Sequence, residues 1–519
     1  MAKIFIDEKL VEAKDGETVF QAAVRAGIHI PHLCYHPAFV PEGSCRMCLV
    51  EIEGLPKLEL SCSTQVREGM KIFTQSEKIG EARKGTLEFL LAEHPLDCPI
   101  CDKAGECKLQ DYYKEYGLFE SQFKEAKEKR EKKVRIGENL ILDQERCVLC
   151  TRCVRFLNEI TKTQELGVFE RGVRSEINIY ENNLVDNNYS NNLTELCPVG
   201  AITDTDFRFQ TRAWLLEKGE SICSLCSRGC NIFIEYNPGF ARIPRKKRVY
   251  RLKSRENSEV NEYWICDFGR YGYKYLDEER LEKIVQNKNG KQTVLSWEKA
   301  YLVLVEKIKA LFLRKKISRM AVICHTGLSN EELFLIRKIF GDILRVEKIF
   351  IADPPQGEKD NLLLTAERTA NRRGAEEIGF DFKPLDLEVI ALKTDLLLIF
   401  GHFLAESFSL SDIKNALDKI GAKFLFTSHS SNLNDLVDIV LPVALVAEAS
   451  GSLTNVDGKV QRYSPVLETC GDARALWQVL LSLAKELKIN YKYFYPLASS
   501  EAILKQMGNE IPFFEKKND

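Results

Sequence analysis

The chain has 519 residues, of which 45% are hydrophobic, so it can bury several cores and is predicted to form about three to four domains. Its net charge of −2 at pH 7 excludes an overall positive electrostatic potential that would attract nucleic acid or an anionic membrane surface. No apolar run reaches the roughly 18 residues that indicate a membrane-spanning helix. The opening MAKIFIDEKL alternates apolar and charged residues, which predicts a strand rather than a signal peptide and hence a cytoplasmic protein.

Cysteine is the residue type with the most uneven distribution. Of 17 cysteines, all but Cys324 and Cys470 precede residue 267. These two are expected to be small buried hydrophobic side chains without a chemical role. For the others disulfides are the alternative, but the missing export signal and the repeated C-x2-C spacing, which brings two sulfur atoms to one point, favour metal binding.

The first cysteine group follows a strand and a helix. An apolar strand pattern begins at Lys3, and a helix is predicted with Thr18 as its N-cap and Gly27 at its end. This order predicts a ferredoxin-like β-grasp fold. The first gap is longer than in the plant-type C-x4-C-x2-C motif, but four thiolates still favour a [2Fe–2S] cluster over the alternative, a zinc knuckle. The candidate ligands are Cys34, Cys45, Cys48 and Cys62.

The second group, HPLDCPICDKAGEC, has three cysteines and needs a fourth ligand. His94 precedes Cys98 by only four residues, so its imidazole can reach the same centre. Taken alone, the set suits a zinc ion as well as a cluster. Its position between two other groups with iron–sulfur spacing favours a [4Fe–4S] cluster. The candidate ligands are His94, Cys98, Cys101 and Cys107.

The third group, CVLCTRCVRFL with ELCPVGAI, resembles a bacterial ferredoxin motif that has lost half of its ligands. In the full run C-x2-C-x2-C-x3-C-P, the last cysteine serves the other cluster. Here Leu157 takes the fourth place of the first half, and the second half keeps only Cys197-Pro198. The other three cysteines of the second half are replaced by Asn187, Ser190 and Leu193. One [4Fe–4S] cluster is expected, with the ligands Cys147, Cys150, Cys153 and Cys197.

The fourth group resembles the [4Fe–4S] domain at the front of molybdopterin oxidoreductases, with a zinc ribbon as the alternative. Its ligands would be Cys223, Cys226, Cys230 and Cys266. Within it lies the basic segment 242–255, RIPRKKRVYRLKSR. A solvated hairpin or a docking face for an acidic partner is favoured there over a nucleic-acid site.

Taken together, the four groups are similar to those of the large iron–sulfur subunit family of NADH:quinone oxidoreductase, respiratory complex I, whose mitochondrial member is the 75 kDa subunit. The resemblance runs from residue 1 to about residue 275 and includes RCVLCTRCVRF, ERG at 170–172 and CPVGAITDTDFRFQTRAW. Beyond it, SNEELFLIRKIF, ANRRGAEEIG, DLLLIFG and VDIVLPVALVAEASGSLTNVDGKVQRY resemble the α/β body of molybdopterin oxidoreductases in a shortened form.

The resemblance implies a multidomain protein of mixed α+β and α/β class. The charged segment 124–135 has no apolar face and is expected to be an exposed connection. The expected domains are a β-grasp [2Fe–2S] ferredoxin domain (1–78), a His-ligated [4Fe–4S] domain with linker (79–138), a ferredoxin-like [4Fe–4S] domain (139–215), a [4Fe–4S] domain of molybdopterin-oxidoreductase type (216–272) and a degenerate molybdopterin-oxidoreductase-like α/β domain (273–519).

The resemblance also implies an electron-transfer function within a complex that translocates protons. Electrons would pass from the flavin/NADH-binding subunit to the Cys34 cluster, then to the Cys147 and His94 clusters, and on to the iron–sulfur subunit that leads to quinone. The Cys223 cluster would be a side site. The complex would lie on the inner face of the cell membrane, which this chain would meet only through its partners. No catalytic residue is expected, since G-x-G-x-x-G, Walker P-loop and H-E-x-x-H motifs are missing from the sequence.

Related enzymes give two alternatives. The large subunit of an NAD-linked formate dehydrogenase has the same N-terminal layout but adds a molybdopterin site, and the diaphorase-type subunit of an NAD-linked hydrogenase is too short. Against a molybdopterin site, Phe268 takes the place of the lysine that follows the cluster in such enzymes, and Cys324 precedes the expected pocket. We therefore expect one [2Fe–2S] cluster, three [4Fe–4S] clusters and no molybdopterin.

Overall fold

The fold is given by a computed structural model that describes residues 2–117, 120–121, 123–180, 183–239, 247–288, 290–382 and 384–515. The chain divides into two structural units, Met1–Glu217 and Lys218–Asp519. The first three cysteine groups belong to the first unit and the fourth to the second. Within the described residues, no helix combines the length and the apolar composition needed to cross a membrane.

The first unit begins with the predicted β-grasp domain. Its elements are β1 (Ala2–Ile6), β2 (Lys9–Ala13), α1 (Val19–Arg25), β3 (Leu49–Ile52), β4 (Glu59–Leu60) and β5 (Lys71–Phe73). The sheet has the order β2-β1-β5-β3-β4, with β1 antiparallel to β2 and parallel to β5. Alternate residues of β1, Ile4 and Ile6, share a core with Phe20 of α1. The predicted N-cap is confirmed, because Thr18 forms a capping box with Gln21.

Two helices flank the second cysteine group. Helix α2 (Glu77–Glu93) ends at His94, and α3 (Lys108–Tyr116) begins directly after Cys107. The two helices contact each other. The candidate ligands of the second group therefore all lie on the loop that joins two packed helix ends.

The third group lies among short strands and helices. These are β6 (Val134–Arg135), β7 (Leu140–Leu142), α4 (Arg152–Arg155), β8 (Leu166–Phe169), β9 (Glu176–Ile179), α5 (Asn192–Leu196) and β10 (Ile202–Asp204). Strands β10, β7 and β6 form one antiparallel sheet, and β8 pairs with β9. Leu157, at the lost fourth position, is fully buried in a π-helical turn, Phe156–Ile160, that continues α4.

The charged segment 124–135 is largely exposed, as expected, but it is anchored to the rest of the first unit. The Lys127 ammonium donates hydrogen bonds to the carbonyl oxygens of Leu91 (2.5 Å) and Ala92 (2.7 Å) in the last turn of α2. The segment ends in β6, which pairs with β7. It is therefore held beside the loop that carries His94, which the sequence pattern did not predict.

The second unit begins with a small sheet around the fourth group. Its elements are β11 (Glu217–Ile222), β12 (Asn231–Tyr236), β13 (Val249–Ser254), α6 (Asp267–Tyr271) and α7 (Tyr273–Asp277). The sheet order is β11-β12-β13. Cys223 follows β11 directly, Cys230 precedes β12, and Cys266 is the N-cap of α6. Residues 242–246 of the predicted basic segment lie outside the described residues, and the rest of that segment begins at Lys247 and includes β13.

The larger part of the second unit is built on a seven-stranded sheet. Its strands are β14 (Ile284–Lys288), β15 (Lys291–Leu295), β16 (Met320–Cys324), β17 (Lys348–Ile351), β18 (Leu396–Phe400), β19 (Ala422–Thr427) and β20 (Ile439–Pro442). The order is β15-β14-β20-β19-β18-β16-β17. Strands β20, β19, β18, β16 and β17 are mutually parallel, and β14 and β15 extend the sheet as an antiparallel edge.

Helices cover both faces of this sheet, as the predicted α/β class requires. Successive residues of β16 alternate between two separate cores, with Val322 in one and Ile323 in the other. In the SNEE motif, Ser329 is the N-cap of a helix and forms a capping box with Glu332. The remaining elements are α8 (Trp297–Leu313), α9 (Asn330–Ile336), α10 (Arg372–Ile378), α11 (Leu387–Ala391), α12 (Leu404–Ser407), α13 (Leu410–Leu417), β21 (Gly451–Thr454), β22 (Val460–Tyr463), α14 (Leu476–Leu487), α15 (Tyr491–Phe494), α16 (Ser500–Glu510) and α17 (Pro512–Glu515).

Candidate metal centres

The first site is a buried set of four free thiols. Their sulfur atoms form two pairs, because Cys34 is hydrogen-bonded to Cys45 and Cys48 to Cys62. The hydrogen bond from Cys45 lowers the pKa of the Cys34 thiol to about 5, and the one from Cys62 lowers the pKa of Cys48 to about 7. The hydrogen bonds to these partners, together with burial, raise the pKa of Cys45 and that of Cys62, so one thiol of each pair has thiolate character. Two pairs of sulfur atoms suit two adjacent metal ions, each of which takes two thiolates.

A buried arginine that the sequence did not reveal lies close to this site. Arg83 of α2 is only 2% exposed. It donates hydrogen bonds to the carbonyl oxygen of Leu49 (3.2 Å), which follows Cys48, and to the hydroxyl of Tyr116 (3.3 Å) on α3. Burial lowers the pKa of the guanidinium, while Tyr116 and Cys48 oppose that shift. Arg83 thus brings positive charge to the first site and ties it to both helices of the second.

The second site places one imidazole and three thiols on the loop between α2 and α3. The Nδ1 atom of His94 is buried and, among the described residues, has no hydrogen-bond partner. Burial lowers the pKa of His94 to about 4, so the ring is neutral near pH 7 and keeps a free lone pair for a metal. Cys101 and Cys107 are buried, whereas Cys98 is exposed. An unpartnered, buried and neutral imidazole nitrogen fits the predicted role of fourth ligand.

Charged groups hold the His94 loop in place. The Arg146 guanidinium lies 2.6 Å from the carboxylate of Asp97, which lies between His94 and Cys98, and the Lys132 ammonium lies 3.5 Å from the same carboxylate. Because of the hydrogen bond and charge of Arg146, the pKa of Asp97 is lowered despite partial burial. Arg212 donates a hydrogen bond of 2.8 Å to the carbonyl oxygen of Cys101. These cations surround a site that would carry negative charge when occupied.

The third site brings its four candidate ligands together around a single cavity. Its four thiols, from Cys147, Cys150, Cys153 and Cys197, line one small cavity, and Leu142, Ile177, Val199 and Ile202 contribute apolar walls. Burial raises the pKa of both Cys147 and Cys150 to about 12. The loop bends through left-handed backbone conformations at Leu149 (φ 49°) and Thr151 (φ 55°). Thiols with so high a pKa would not ionise alone at neutral pH, so a bound cation is what would stabilise them as thiolates.

The residues that replace cysteines in the second half of the ferredoxin motif make packing and hydrogen-bond contacts. Leu193 is fully buried, and the Asn187 amide donates a hydrogen bond of 2.9 Å to the carboxylate of Glu165. These contacts are those of packing residues rather than ligands.

The fourth site is buried in the second unit. All four candidate cysteines are at most 6% exposed. The backbone N–H of Gly269 donates to the Cys266 sulfur (3.3 Å), and a Cβ atom at Gly269 would lie 3.3 Å from the Cys223 sulfur. Burial raises the pKa of Cys266 to about 12. Glycine at 269 therefore lets the backbone approach two of the candidate ligands closely.

The described part of the basic segment is paired with carboxylates of its own unit. Arg248 lies 2.9 Å from Asp277 and 2.8 Å from Glu448, and Arg251 lies 2.6 Å from Glu235. These pairs support a hairpin that contributes to folding. They leave fewer free cations for nucleic acid than the sequence alone suggested.

A cavity of about 520 Å³ adjoins the fourth site, at the carboxyl ends of the parallel strands. Ser224, Leu225 and Phe268 line it on the cysteine side, and His325 and His402 line it on the sheet side. The guanidinium of Arg368, which also lines the cavity, lies 5.0 Å from the centre of the Phe268 ring. Arg368 thus places a cation beside Phe268, the residue that stands where molybdopterin enzymes have a lysine.

Across the described residues, no group of three or more His, Cys, Asp or Glu side chains is arranged to hold a single metal ion. Cys324 is fully buried at the end of β16, and its thiol donates to the carbonyl oxygen of Phe350 (3.7 Å). Cys470 is half-buried. Cys324 is therefore buried as predicted, whereas Cys470 is more exposed than predicted.

Family models match the regions that contain the first three candidate sites, in the predicted order, and part of the α/β body. Residues 1–77 match a 2Fe-2S iron-sulfur cluster binding domain, and residues 83–122 match the NADH-ubiquinone oxidoreductase-G iron-sulfur binding region. Residues 137–203 match the ferredoxin-like domain of NADH-quinone oxidoreductase subunit 3, and residues 355–486 match the molybdopterin oxidoreductase family. The predicted succession of domain types is therefore confirmed.

Two subunits of NADH-oxidising complexes are similar in sequence to a large part of this chain. An NADH-quinone oxidoreductase subunit of Rickettsia felis is 38% identical over 339 residues, which are 65% of this chain and 49% of the relative. The NADH-ubiquinone oxidoreductase 75 kDa subunit of Reclinomonas americana is 38% identical, over 66% of this chain and 48% of its own length. This chain is similar to both of these subunits over about two thirds of its own residues. It spans about half the length of the curated relatives it matches.

Two further proteins are similar to this chain at lower sequence identity. NADH-quinone oxidoreductase subunit 3 of Thermus thermophilus is 36% identical, over 60% of this chain and 43% of its own length. A chain in a crystal structure of an NAD⁺-reducing [NiFe]-hydrogenase in the H2-reduced state is 32% identical, covers 41% of this chain and 91% of its own length, and has a TM-score of 0.37.

Proposed function

We propose that this chain is an iron–sulfur electron-transfer subunit of an NADH:quinone oxidoreductase. It would carry one [2Fe–2S] cluster in the first site and a [4Fe–4S] cluster in each of the other three. Such clusters exchange single electrons, so the protein has to hold them close together, keep water out and set their potentials. The observation that carries the proposal is that the three candidate sites of the first unit are joined by direct contacts.

The contacts support a spatial order that differs from the order in sequence. Val40, on the loop after Cys34, donates its N–H to the carboxylate of Glu159, which follows α4 of the third site (3.2 Å). On the other side of the third site, Lys108 donates its N–H to the carbonyl oxygen of Pro198 (3.1 Å). The third site would therefore lie between the first and the second, which supports the route from the Cys34 cluster through the Cys147 cluster to the His94 cluster.

The closest approach between the second and third sites involves glycine. A Cβ atom added to Gly200 would lie 2.3 Å from the Cys101 sulfur, so no side chain separates the Cys197 turn from the second site. Lys103 donates a further hydrogen bond to the carbonyl oxygen of Thr194 (2.9 Å). Close packing between successive sites favours fast electron transfer, because the chance of electron tunnelling falls steeply with distance.

The surface near the second site is suited to an electron exit. Cys98 is exposed, and Leu96 and Ile100 on either side of it are 79% and 64% exposed. Exposed apolar side chains beside a redox centre suit a contact with a second protein. In this proposal the next iron–sulfur subunit toward quinone covers Cys98, and the flavin/NADH-binding subunit delivers electrons to the Cys34 site. The chain would thus meet the inner face of the cell membrane only through its complex, whose reaction is coupled to proton translocation.

The domain limits and the role of the second unit belong to the same proposal. The domains would span 1–78, 79–138, 139–215, 216–272 and 273–519, and the last would serve as a scaffold that covers the Cys223 cluster. The cavity beside that cluster fits molybdopterin poorly. Phe268 presents an apolar ring toward it, and the Cys324 thiol is turned to a backbone carbonyl within the core instead of lining it.

A second candidate function, the large subunit of an NAD-linked formate dehydrogenase, is favoured by two observations. One is the molybdopterin oxidoreductase match at 355–486, and the other is the cavity of about 520 Å³ beside the fourth site. Formate added to the purified native complex distinguishes the two functions. We expect no formate-dependent reduction of the clusters and no stoichiometric molybdenum; finding either one would favour the second candidate.

The main proposal is tested by mixing the native complex with NADH and freezing it at successive times for low-temperature EPR. Signals of reduced clusters assigned to the first unit should appear within one turnover of the complex and disappear when quinone reoxidises it. A Cys150→Ser variant, which removes a candidate ligand of the third site, should leave the Cys34 site reducible by NADH and block reduction of the His94 site. If the His94 site is still reduced at the normal rate in this variant, the route is wrong.

A further inference from the structure

Two arginines of α4 connect the first site with the third. Arg152 lies within the C-x2-C-x2-C motif of the third site, just before Cys153, and Arg155 follows the motif almost one helical turn later on α4. Three residues of separation place both side chains on neighbouring positions of one helix face. Both guanidinium groups extend to the loop that follows Cys34.

Arg155 contacts backbone atoms of candidate ligands in two different sites. Its Nη2 atom donates hydrogen bonds to the carbonyl oxygen of Cys34 and to that of Cys150 (3.1 Å). Its Nη1 atom donates to the carbonyl oxygen of Val40 (3.1 Å), and its guanidinium carbon lies 5.3 Å from the centre of the Phe39 ring. One nitrogen atom thus joins a first-site residue to a third-site residue.

Arg152 makes the same kind of connection through neighbouring residues. Its Nη2 atom donates to the carbonyl oxygen of Tyr35, next to Cys34, and its Nη1 atom donates to that of Leu196 (3.2 Å), next to Cys197. Its side chain also lines the small cavity formed by the four thiols of the third site. The two arginines therefore form parallel bridges between the same two sites.

The charge of Arg152 is balanced in an unusual way. The residue is 5% exposed, its hydrogen-bond acceptors within the described residues are backbone carbonyls, and its Nε atom has no partner there. A buried cation without a carboxylate is costly unless other negative charge lies nearby. The groups that interact favourably with its charge are the thiols of Cys34, Cys150 and Cys197. The ligand thiolates themselves would thus be its counter-charge.

We propose that Arg152 and Arg155 are positioning residues for electron transfer between the first and third sites. Their fixed positive charge would stabilise the added electron at both sites, and their hydrogen bonds would hold the two ligand loops in contact. In the step itself one electron leaves the first cluster, which is oxidised, and enters the third, which is reduced. No bond forms and no proton moves, because a guanidinium keeps its proton in proteins. This inference rests on the proposed electron-transfer function.

The test compares variants of the full chain within the complex. In Arg155→Gln the charge and the bridge are both lost, whereas Arg155→Lys keeps the charge and loses the planar fork that reaches two carbonyls at once. Two properties are measured: the midpoint potential of each cluster, by EPR-monitored redox titration, and the rate of electron transfer between the two sites after rapid reduction. The matched control is Arg25→Gln in the β-grasp domain, where the guanidinium instead bonds the Glu12 carbonyl and the Glu17 carboxylate.

Arg155→Gln should lower the reduced-to-oxidised ratio of both sites about tenfold at a fixed potential, a shift of ~59 mV for one electron, because a nearby cation is removed. Arg155→Lys should keep both potentials near those of the unchanged protein and slow transfer between the sites about tenfold or more. Arg25→Gln should change neither property.

Unchanged potentials at both sites in an assembled Arg155→Gln protein, or a shift at one site only, would overturn the inference. If the Arg155→Gln protein does not assemble its clusters, the Arg155→Lys variant becomes the test of the inference. An unchanged rate of electron transfer between the two sites in Arg155→Lys would then overturn the inference. The failure of the proposed function would look different, because the unchanged protein would then lack NADH-reducible clusters in the first unit.

Discussion

His94 gives the second site a neutral ligand among candidate thiolates. Burial lowers the pKa of its imidazole to about 4, so it contributes no charge near pH 7, whereas a metal-bound cysteine is a thiolate. With one negative charge fewer, the cluster accepts an electron more readily, as in Rieske centres, where histidine ligands raise the potential. We therefore expect the second site to have a higher potential than an all-cysteine site in the same surroundings.

Replacing this ligand tests the role of charge. The variant His94→Cys should still assemble a [4Fe–4S] cluster but with a lower midpoint potential, because a negative charge is added. EPR-monitored redox titration measures the potential. His29→Cys, a change of the same type at an exposed position, should leave it unchanged. A higher potential in His94→Cys would show that the charge argument is wrong.

Gly200 is the residue on which the spacing of the second and third sites depends most directly. In Gly200→Ala the new Cβ atom would lie 2.3 Å from the Cys101 sulfur and 3.2 Å from the Cβ atom of Lys103, so one of the two loops must move. We expect about 1–3 kcal/mol of destabilisation and altered EPR signals from both sites. Gly85→Ala, on α2 with no atom within 4 Å of the new Cβ, is the control and should not affect either signal. If the two variants have the same stability and the same EPR signals, the close contact between Gly200 and Cys101 is contradicted.

At the scale of elements, the charged segment 124–135 connects two domains and also stabilises the end of α2. Lys127 supplies donors to two carbonyl oxygens in the last turn of α2, immediately before His94. Free carbonyls at the end of a helix are stabilised by such a cation, in part through the helix dipole. The segment thus fixes the point at which α2 ends and the ligand loop begins.

We predict that Lys127→Met loosens this helix end. Loss of the two hydrogen bonds should raise the rate of amide hydrogen exchange in the last turn of α2, by an amount that corresponds to about 0.5–1.5 kcal/mol. Lys124→Met, at an exposed position in the same segment, serves as the control. Exchange that is equally slow in both variants would mean that the Lys127 contacts do not hold the helix end.

Features that depend on neighbours in sequence could be predicted from it, and features that depend on distant residues could not. The capping boxes at Thr18 and Ser329 and the C-x2-C loops follow from local spacing, so sequence patterns were sufficient for them. The acceptors of Arg152 lie 44 and 117 residues away, and no local pattern marks that arginine as different from a surface one. The same holds for Gly200 and Arg368.

At the scale of the whole molecule, the three sites of the proposed route lie in one structural unit and the fourth in the other. The order in sequence places the His94 site second, but the contacts of the Cys197 turn with Cys101 and Lys108 favour a place for it at the end of the route. Ligand spacing alone predicts the candidate sites, but tertiary contacts are needed to propose their order in space. The resemblance to the complex I family was needed to predict that order from the sequence.

The central claim, four clusters held by the four ligand groups, is tested most directly by metal analysis of the purified protein combined with low-temperature EPR of its dithionite-reduced form. One binuclear and three tetranuclear clusters require about fourteen iron atoms per chain. We predict this iron content after full reconstitution, with only trace zinc and EPR signals from one [2Fe–2S] and several [4Fe–4S] centres. Fewer than about ten iron atoms, or stoichiometric zinc in place of iron, would contradict the account.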